Sequence, residues 1–323
     1  MPTTRLSRKS TEGPFGLASF GFALSLAFLL LSPPTVSAQG MLQGLREDVR
    51  RPSPPSSDEK EEKKRKKKKE KRHGGYVYYN DDHCHDCDDD DDDSGLGELF
   101  AMLTLGTVTS PFWIPRGIVG DDTWDYGYFA RYPYRCDLGG YMGTEPSVVH
   151  TCYPWLVDEH YSWLLRARAE YADDFDDLSR IGGQVLLDSA SRWGLDTEFN
   201  HWREDLGFGR HDSLWTGDFN VVYRFAQSPK TQMRTGIGCN WLSDTVGSEF
   251  GFNFTYGGDW FPHDPWIVSA EIDWGKLGNA TLFHGRTTLG VHFHRFEVYS
   301  GYDYYDIGNT QINGIVSGLR LWY

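Results

Sequence analysis

The feature that most limits what this chain can fold into is a two-residue alternation that recurs, segment after segment, from about residue 162 to the end. In the last segment Tyr323, Leu321, Leu319, Ser317 and Ile315 fall on one side, and Trp322, Arg320, Gly318, Val316 and Gly314 on the other. A period of two belongs to β-strands, whose successive side chains point to opposite faces. Further back, Trp163, Leu165, Ala167, Ala169 and Tyr171 alternate with Arg166, Arg168 and Glu170, and Phe219, Val221, Tyr223 and Phe225 with Asp218, Asn220 and Arg224. Counting such segments gives about ten strands of ~10–14 residues, with no helical period between them.

Short turn-forming stretches join the segments: Gln227-Ser228-Pro229-Lys230, Pro262-His263-Asp264-Pro265 and Gly308-Asn309-Thr310 are examples. Connections this short make neighbours antiparallel, so the expected fold is all-β, an antiparallel up-and-down β-barrel of about ten strands. Strands this long match a tilted membrane crossing better than globular strands of ~5–6 residues. Aromatics such as Trp193, Trp215, Trp241, Trp260, Trp266, Trp274, Trp322 and Tyr323 sit toward strand ends, as in an interfacial girdle.

The polar face carries arginine, whereas the only lysines of the block, Lys230 and Lys276, fall in turns. A packed polar lumen favours the guanidinium fork, which satisfies several carboxylates at once. The expected lumen network comprises Arg166, Arg168, Glu170, Asp218, Arg224, Arg234, Glu249, Glu271, Asp273, Arg286, Glu297 and Asp303. Arg180, Arg320, Asp188, Asp196 and Glu198 share that face. A lumen so filled in a barrel of this size leaves no open pore.

An apolar row closed by a terminal aromatic resembles the C-terminal strand by which outer-membrane β-barrels are recognised and inserted. The block resembles small bacterial outer-membrane barrels over roughly residues 162–323. The resemblance implies the outer membrane of a diderm bacterium, with lipid and the barrel-insertion machinery as partners. It also implies both barrel termini facing the periplasm and the turns before Gly182 and near Gly207, Thr245, Gly278 and Asn309 facing outward. It carries no catalytic motif. Alternation alone is equally consistent with a periplasmic or secreted barrel or sandwich binding a small or lipidic ligand.

Upstream, Arg5, Arg8 and Lys9 followed by an apolar run and Val36-Ser37-Ala38 are expected to form a signal peptide over 1–38. Residues 39–94 read as a disordered low-complexity segment: prolines, a lysine-dominated block over 58–72, then aspartates 88–93. That block could meet anionic envelope polymer or remain a solvated linker. The formal net charge of −14 argues against nucleic acid as a partner. His83, Cys84, His85 and Cys87 have the donor chemistry for Zn or Cu, with a disulfide and no role as alternatives. Residues 95–160 read as an irregular strap, with a short helix over 98–105 and an extended piece at 111–115. Cys136 and Cys152 are expected to pair in an exported chain, contributing about 3 kcal/mol.

His292 and His294, two residues apart, would share a strand face and could present two metal ligands. Together with His284 they could alternatively serve a barrel enzyme acting on envelope lipid, or a plain lumen network. No Gly-x-Ser-x-Gly, His-Glu-x-x-His or phosphate-binding glycine loop occurs. No enzymatic activity and no resident cofactor are expected.

Overall fold

The structure, a computed structural model, describes residues 40–52, 94–121, 128–134, 142–143 and 161–323. The expected signal peptide, the lysine and aspartate runs, the His83–Cys87 cluster and the cysteines Cys136 and Cys152 lie outside these residues.

Ten strands close into one antiparallel barrel. They are β3 (Trp163–Asp173), β4 (Leu178–Ser189), β5 (Trp193–Asp205), β6 (His211–Ser228), β7 (Thr231–Ser243), β8 (Ser248–His263), β9 (Trp266–Leu277), β10 (Ala280–Phe293), β11 (Phe296–Ile307) and β12 (Thr310–Trp322). Each pairs with its sequence neighbours, and closure comes from β12 on β3, with Leu319 opposite Ala169 and Leu321 opposite Ala167. The up-and-down order follows from turns too short to permit any other. We call the end that carries Trp163 and Trp322 the base, and the opposite end, with turns at 174–177, 206–210, 244–247, 278–279 and 308–309, the mouth.

The alternation sorts side chains inside-out. Trp163, Tyr171, Ile181, Phe199, Phe219, Ile237, Phe252, Leu289, Val298 and Leu319 are exposed on the outer wall, while Arg166, Arg180, Glu198, Asp259, Arg286 and Glu297 are buried within. From the base upward, outward positions carry no Asp, Glu, Lys or Arg until Asp173, Arg203, Asp205, Lys276 and Asp306 near the mouth. Aromatics bracket this belt: Trp163 and Tyr171, Tyr223 and Trp215, and Trp266 and Trp274 stand eight residues apart on their strands. Eight residues span ~27 Å of strand, or ~20 Å of height at a tilt of ~40°.

The segment expected to be unstructured from residue 39 begins instead with a helix, α1 (Met41–Arg50), seated in the mouth. Leu42, Leu45 and Val49, spaced for one helical face, are fully buried against Trp202, Leu214, Leu242, Leu277, Tyr305 and Ile312 of the barrel. The expected short helix and extended piece are one helix, α2 (Ser94–Val119), which runs through Pro111 and Pro115. A proline inside a helix orphans the carbonyl four residues before it. Here both orphans find donors: the Ser110 hydroxyl reaches the Thr107 carbonyl at 2.7 Å, and the Tyr256 hydroxyl of the barrel reaches the Pro111 carbonyl at 2.9 Å. At the base, a two-stranded hairpin, β1 (Tyr128–Phe129) with β2 (Met142–Gly143), precedes the barrel.

Candidate functional site in a sealed lumen

The lumen is layered. In the mouth layer the Glu204 carboxylate accepts the backbone N–H groups of Met41 and Leu42, capping the helix N-terminus, which holds partial positive charge. At the other end of α1, the Val49 carbonyl accepts the Asn279 N–H at 2.8 Å, and Asp48 accepts both N–H groups of Asn309 at 2.9 Å. The Arg46 guanidinium forks between Asp212 and Asp244, and Arg50 donates to Asp244 at 2.8 Å. Hydrogen bonding from Arg50 holds the Asp244 carboxyl well below its ordinary range, and that from Arg46 lowers Asp212. One short helix is thus tied to four of the five mouth turns or the strand ends beside them.

The middle layer is ionic. Glu198 and Glu170 form its hub: Arg286 donates to Glu198 at 2.8 and 3.1 Å and lies 3.0 Å from Glu170, while Arg168 and Arg180 add further contacts. Glu271 approaches the same arginines from β9. A second hub is Asp259, which accepts Arg166 at 2.7 Å, Arg234 at 2.8 Å and the Ser269 hydroxyl at 2.7 Å. His284 bridges Asp273 and Asp303 at 2.8 Å through its two ring nitrogens and stacks on Tyr305 at 4.0 Å. Asp196 and Asp218 have carboxamide partners, Gln184 and Asn220, and among the described residues no guanidinium lies within ion-pair distance of either.

The base layer is aromatic. Phe129, Leu164, Phe261, Ile267 and Trp322 form a buried cluster with Tyr132 and Tyr134 against it. The Arg224 guanidinium caps the Phe129 ring at 4.7 Å while pairing with Asp188. Both ends are therefore closed by the chain's own segments. A cleft of about 20 Å³ beside Arg180, Trp202 and Tyr305 has room for about one water.

The sequence-derived lumen residues Arg166, Arg168, Glu170, Asp218, Arg224, Arg234, Glu271, Asp273, Arg286, Glu297 and Asp303 all lie in the lumen. Glu249 does not: it has the right parity but stands at the rim, 3.6 Å from Arg50 and 38% exposed. Its place is taken by Asp259, which sequence reasoning missed because β8 continues past Tyr256 through Gly257 and Gly258 to His263. Trp322, expected in the outer girdle, points inward. Tyr323 and Leu321 hold the outward parity, and the Trp322 indole N–H donates to Glu297 at 3.0 Å.

The expected His292–His294 pair does not share a strand face: strand β10 ends at Phe293 and His294 lies past it with φ 54°, both rings standing about 6 Å from the Tyr132 ring. His292 is buried beside Tyr132 and Tyr134. Among the described residues no group of three His, Cys, Asp or Glu side chains is placed to hold a metal ion. His284, with both nitrogens engaged, has none left to take a proton from a substrate.

No protein-family model and no curated protein matches the chain. Among solved structures, it is similar to the outer-membrane protein Ail of Yersinia pestis, at 13% identity and TM-score 0.29, over 50% of this chain and 99% of that one. It is also similar to Neisserial surface protein A, at 8% identity and TM-score 0.26, over 50% of this chain and 98% of that one. The barrel described above rests on its own strand pairing.

Proposed function

We propose that this chain is an outer-membrane barrel with a structural or anchoring role, embedded with its base toward the periplasm and closed to solutes. The carrying observation is the inside-out distribution of side chains. A continuous uncharged belt surrounds the wall, whereas a water-soluble monomer rarely exposes a contiguous apolar patch beyond a few hundred Å². The buried arginine and carboxylate layer is the counterpart: in a hydrocarbon surround, charge is tolerated where it is paired inside.

A transport role finds little support, because α1, the ionic layer and the Phe129 cluster lie in series across the lumen. A soluble ligand-binding barrel would need an apolar interior with a cavity, and the interior here is charged and filled. The lipid-hydrolysing reading loses its base with His284 locked between Asp273 and Asp303.

Carbonate washing of membranes and gel electrophoresis with and without boiling test the proposal. Retention in the washed membrane with a heat-dependent shift in mobility is expected. Release into the soluble pool without a shift would refute it. In planar bilayers the purified protein is expected to give no steady conductance, and stable channel steps would refute the closed lumen.

A further inference from the structure

The two ends of the chain's N-terminal half lie at opposite ends of the barrel. Helix α1 is bound in the mouth through Asp212, Asp244, Asn279 and Asn309. Asp121, just past α2, is bound at the base: its carboxylate takes Arg192 at 2.7 and 2.8 Å and the Gln227 N–H at 3.1 Å. Between Arg51 and Asp121 the chain therefore passes from one end of the barrel to the other. The lumen offers it no route, because packed side chains fill it.

This inference rests on the membrane reading above, which makes that passage a crossing of the bilayer. The sequence between the two anchors allows it at one place. Residues 58–72 and 81–93 are dense in charge, and ionised groups are costly at the membrane centre. The stretch from Leu99 to Pro115, between Glu98 and Arg116, has none. Its seventeen residues span ~25 Å as a helix, close to the height of an outer-membrane apolar band.

The structure packs the Pro111–Phe112 end of that stretch on the outer wall of the barrel. Phe112 meets Phe225 edge-on at 5.4 Å and Tyr256 at 6.2 Å, both outward residues of β6 and β8. Phe225 is 6% exposed, whereas Phe219 on the same outward face is 47% exposed. Trp113, Ile114 and Ile118 stay exposed, as lipid-facing groups would. No described helix is both long and apolar enough to cross a membrane alone. α2 is not alone: the barrel covers one flank, and the two proline-orphaned carbonyls are satisfied by Ser110 and Tyr256.

We propose that α2 is an eleventh membrane-crossing element, packed on β6 and β8, and that residues 52–93 lie on the mouth side of the membrane, opposite the base where the barrel begins. The lysine block and the His83–Cys87 cluster would then face the medium, not the periplasm.

Three full-length forms test this, each with one short epitope: after Pro54, at Phe208 in a mouth turn, and after Pro229 in a base turn. Each is first checked for retention in carbonate-washed membranes and for the heat shift. Antibody binding is then compared on intact and permeabilised cells. The Pro54 epitope is expected to share the accessibility of the Phe208 epitope and to differ from that of the Pro229 epitope. Pro54 behaving like Pro229 in a correctly inserted barrel would overturn the crossing and leave the membrane reading standing. Failure of all three forms to enter the membrane would overturn both.

Discussion

Asp244→Asn isolates the charge that holds α1 in the mouth. The Asp244 side chain is 1% exposed and receives Arg46 Nε at 2.7 Å and Arg50 at 2.8 Å. It also accepts the N–H groups of Val246 and Gly247 in its own turn at 2.8 and 3.1 Å. Asparagine keeps an acceptor for the turn and removes the anion. A charge-assisted hydrogen bond is worth about 1.5–3 kcal/mol, reduced here because both arginine side chains are partly exposed. We expect a loss of about 2 kcal/mol in docking, roughly a thirtyfold rise in the undocked population. Amide hydrogen exchange in lipid or detergent reads this directly: protection over Gly44–Arg50 falls about thirtyfold while β3–β12 are unchanged. Unchanged protection of α1, or an equal loss across the barrel, would refute the reasoning.

The same carboxylates set a pH dependence. Asp244 and Asp212 are depressed when the helix is docked, by hydrogen bonds from Arg50 and Arg46 respectively. Their contribution is therefore complete above the ordinary carboxylate value of about 3.9 and is lost as pH falls through the docked values. Protection of α1 is expected to be flat from about pH 5 to 8 and to collapse below about pH 4, with a shallower collapse in Asp244→Asn. A fall between pH 6 and 7 would implicate other groups.

In the ionic layer, Arg286→Met removes a guanidinium that Glu198 and Glu170 share and leaves both carboxylates buried. It should cost about 3–5 kcal/mol in urea unfolding from vesicles, with Glu198→Gln in the same background costing less than it does alone; additive losses would contradict a shared hub. Tyr256→Phe removes the donor to the Pro111 carbonyl and should cost about 1 kcal/mol, read as faster proteolysis of α2 with the heat shift intact. Equal proteolysis of the two proteins would mean that α2 is held by other contacts.

Alternation was legible because the wall obliges every strand to obey it: Arg166, Arg168 and Glu170 face inward for the same reason that Trp163 and Leu165 face out. Period two reports the face and not the height. That is why Glu249, correct in parity, was expected in a layer it stands above, and why Asp259 was lost beyond two glycines. Trp322 shows the converse, since an aromatic at a strand end suggests a girdle until parity assigns it to Glu297. Helix α1 carries a readable apolar spacing at Leu42, Leu45 and Val49, but its charged residues resemble the low-complexity run that follows, and the carboxylates that select it lie more than 150 positions away. The prolines of α2 argue against a helix locally. What overrides them is the Tyr256 hydroxyl, a tertiary partner that no local window contains.

The central claim, charge within and lipid without, is tested most directly at Cys239, an exposed free thiol on the outward face of β7. With Cys84, Cys87, Cys136 and Cys152 replaced by serine, a nitroxide on Cys239 in lipid vesicles should collide readily with dissolved oxygen and rarely with a water-soluble nickel complex. Free collision with nickel and little with oxygen would place the belt in water and contradict the account.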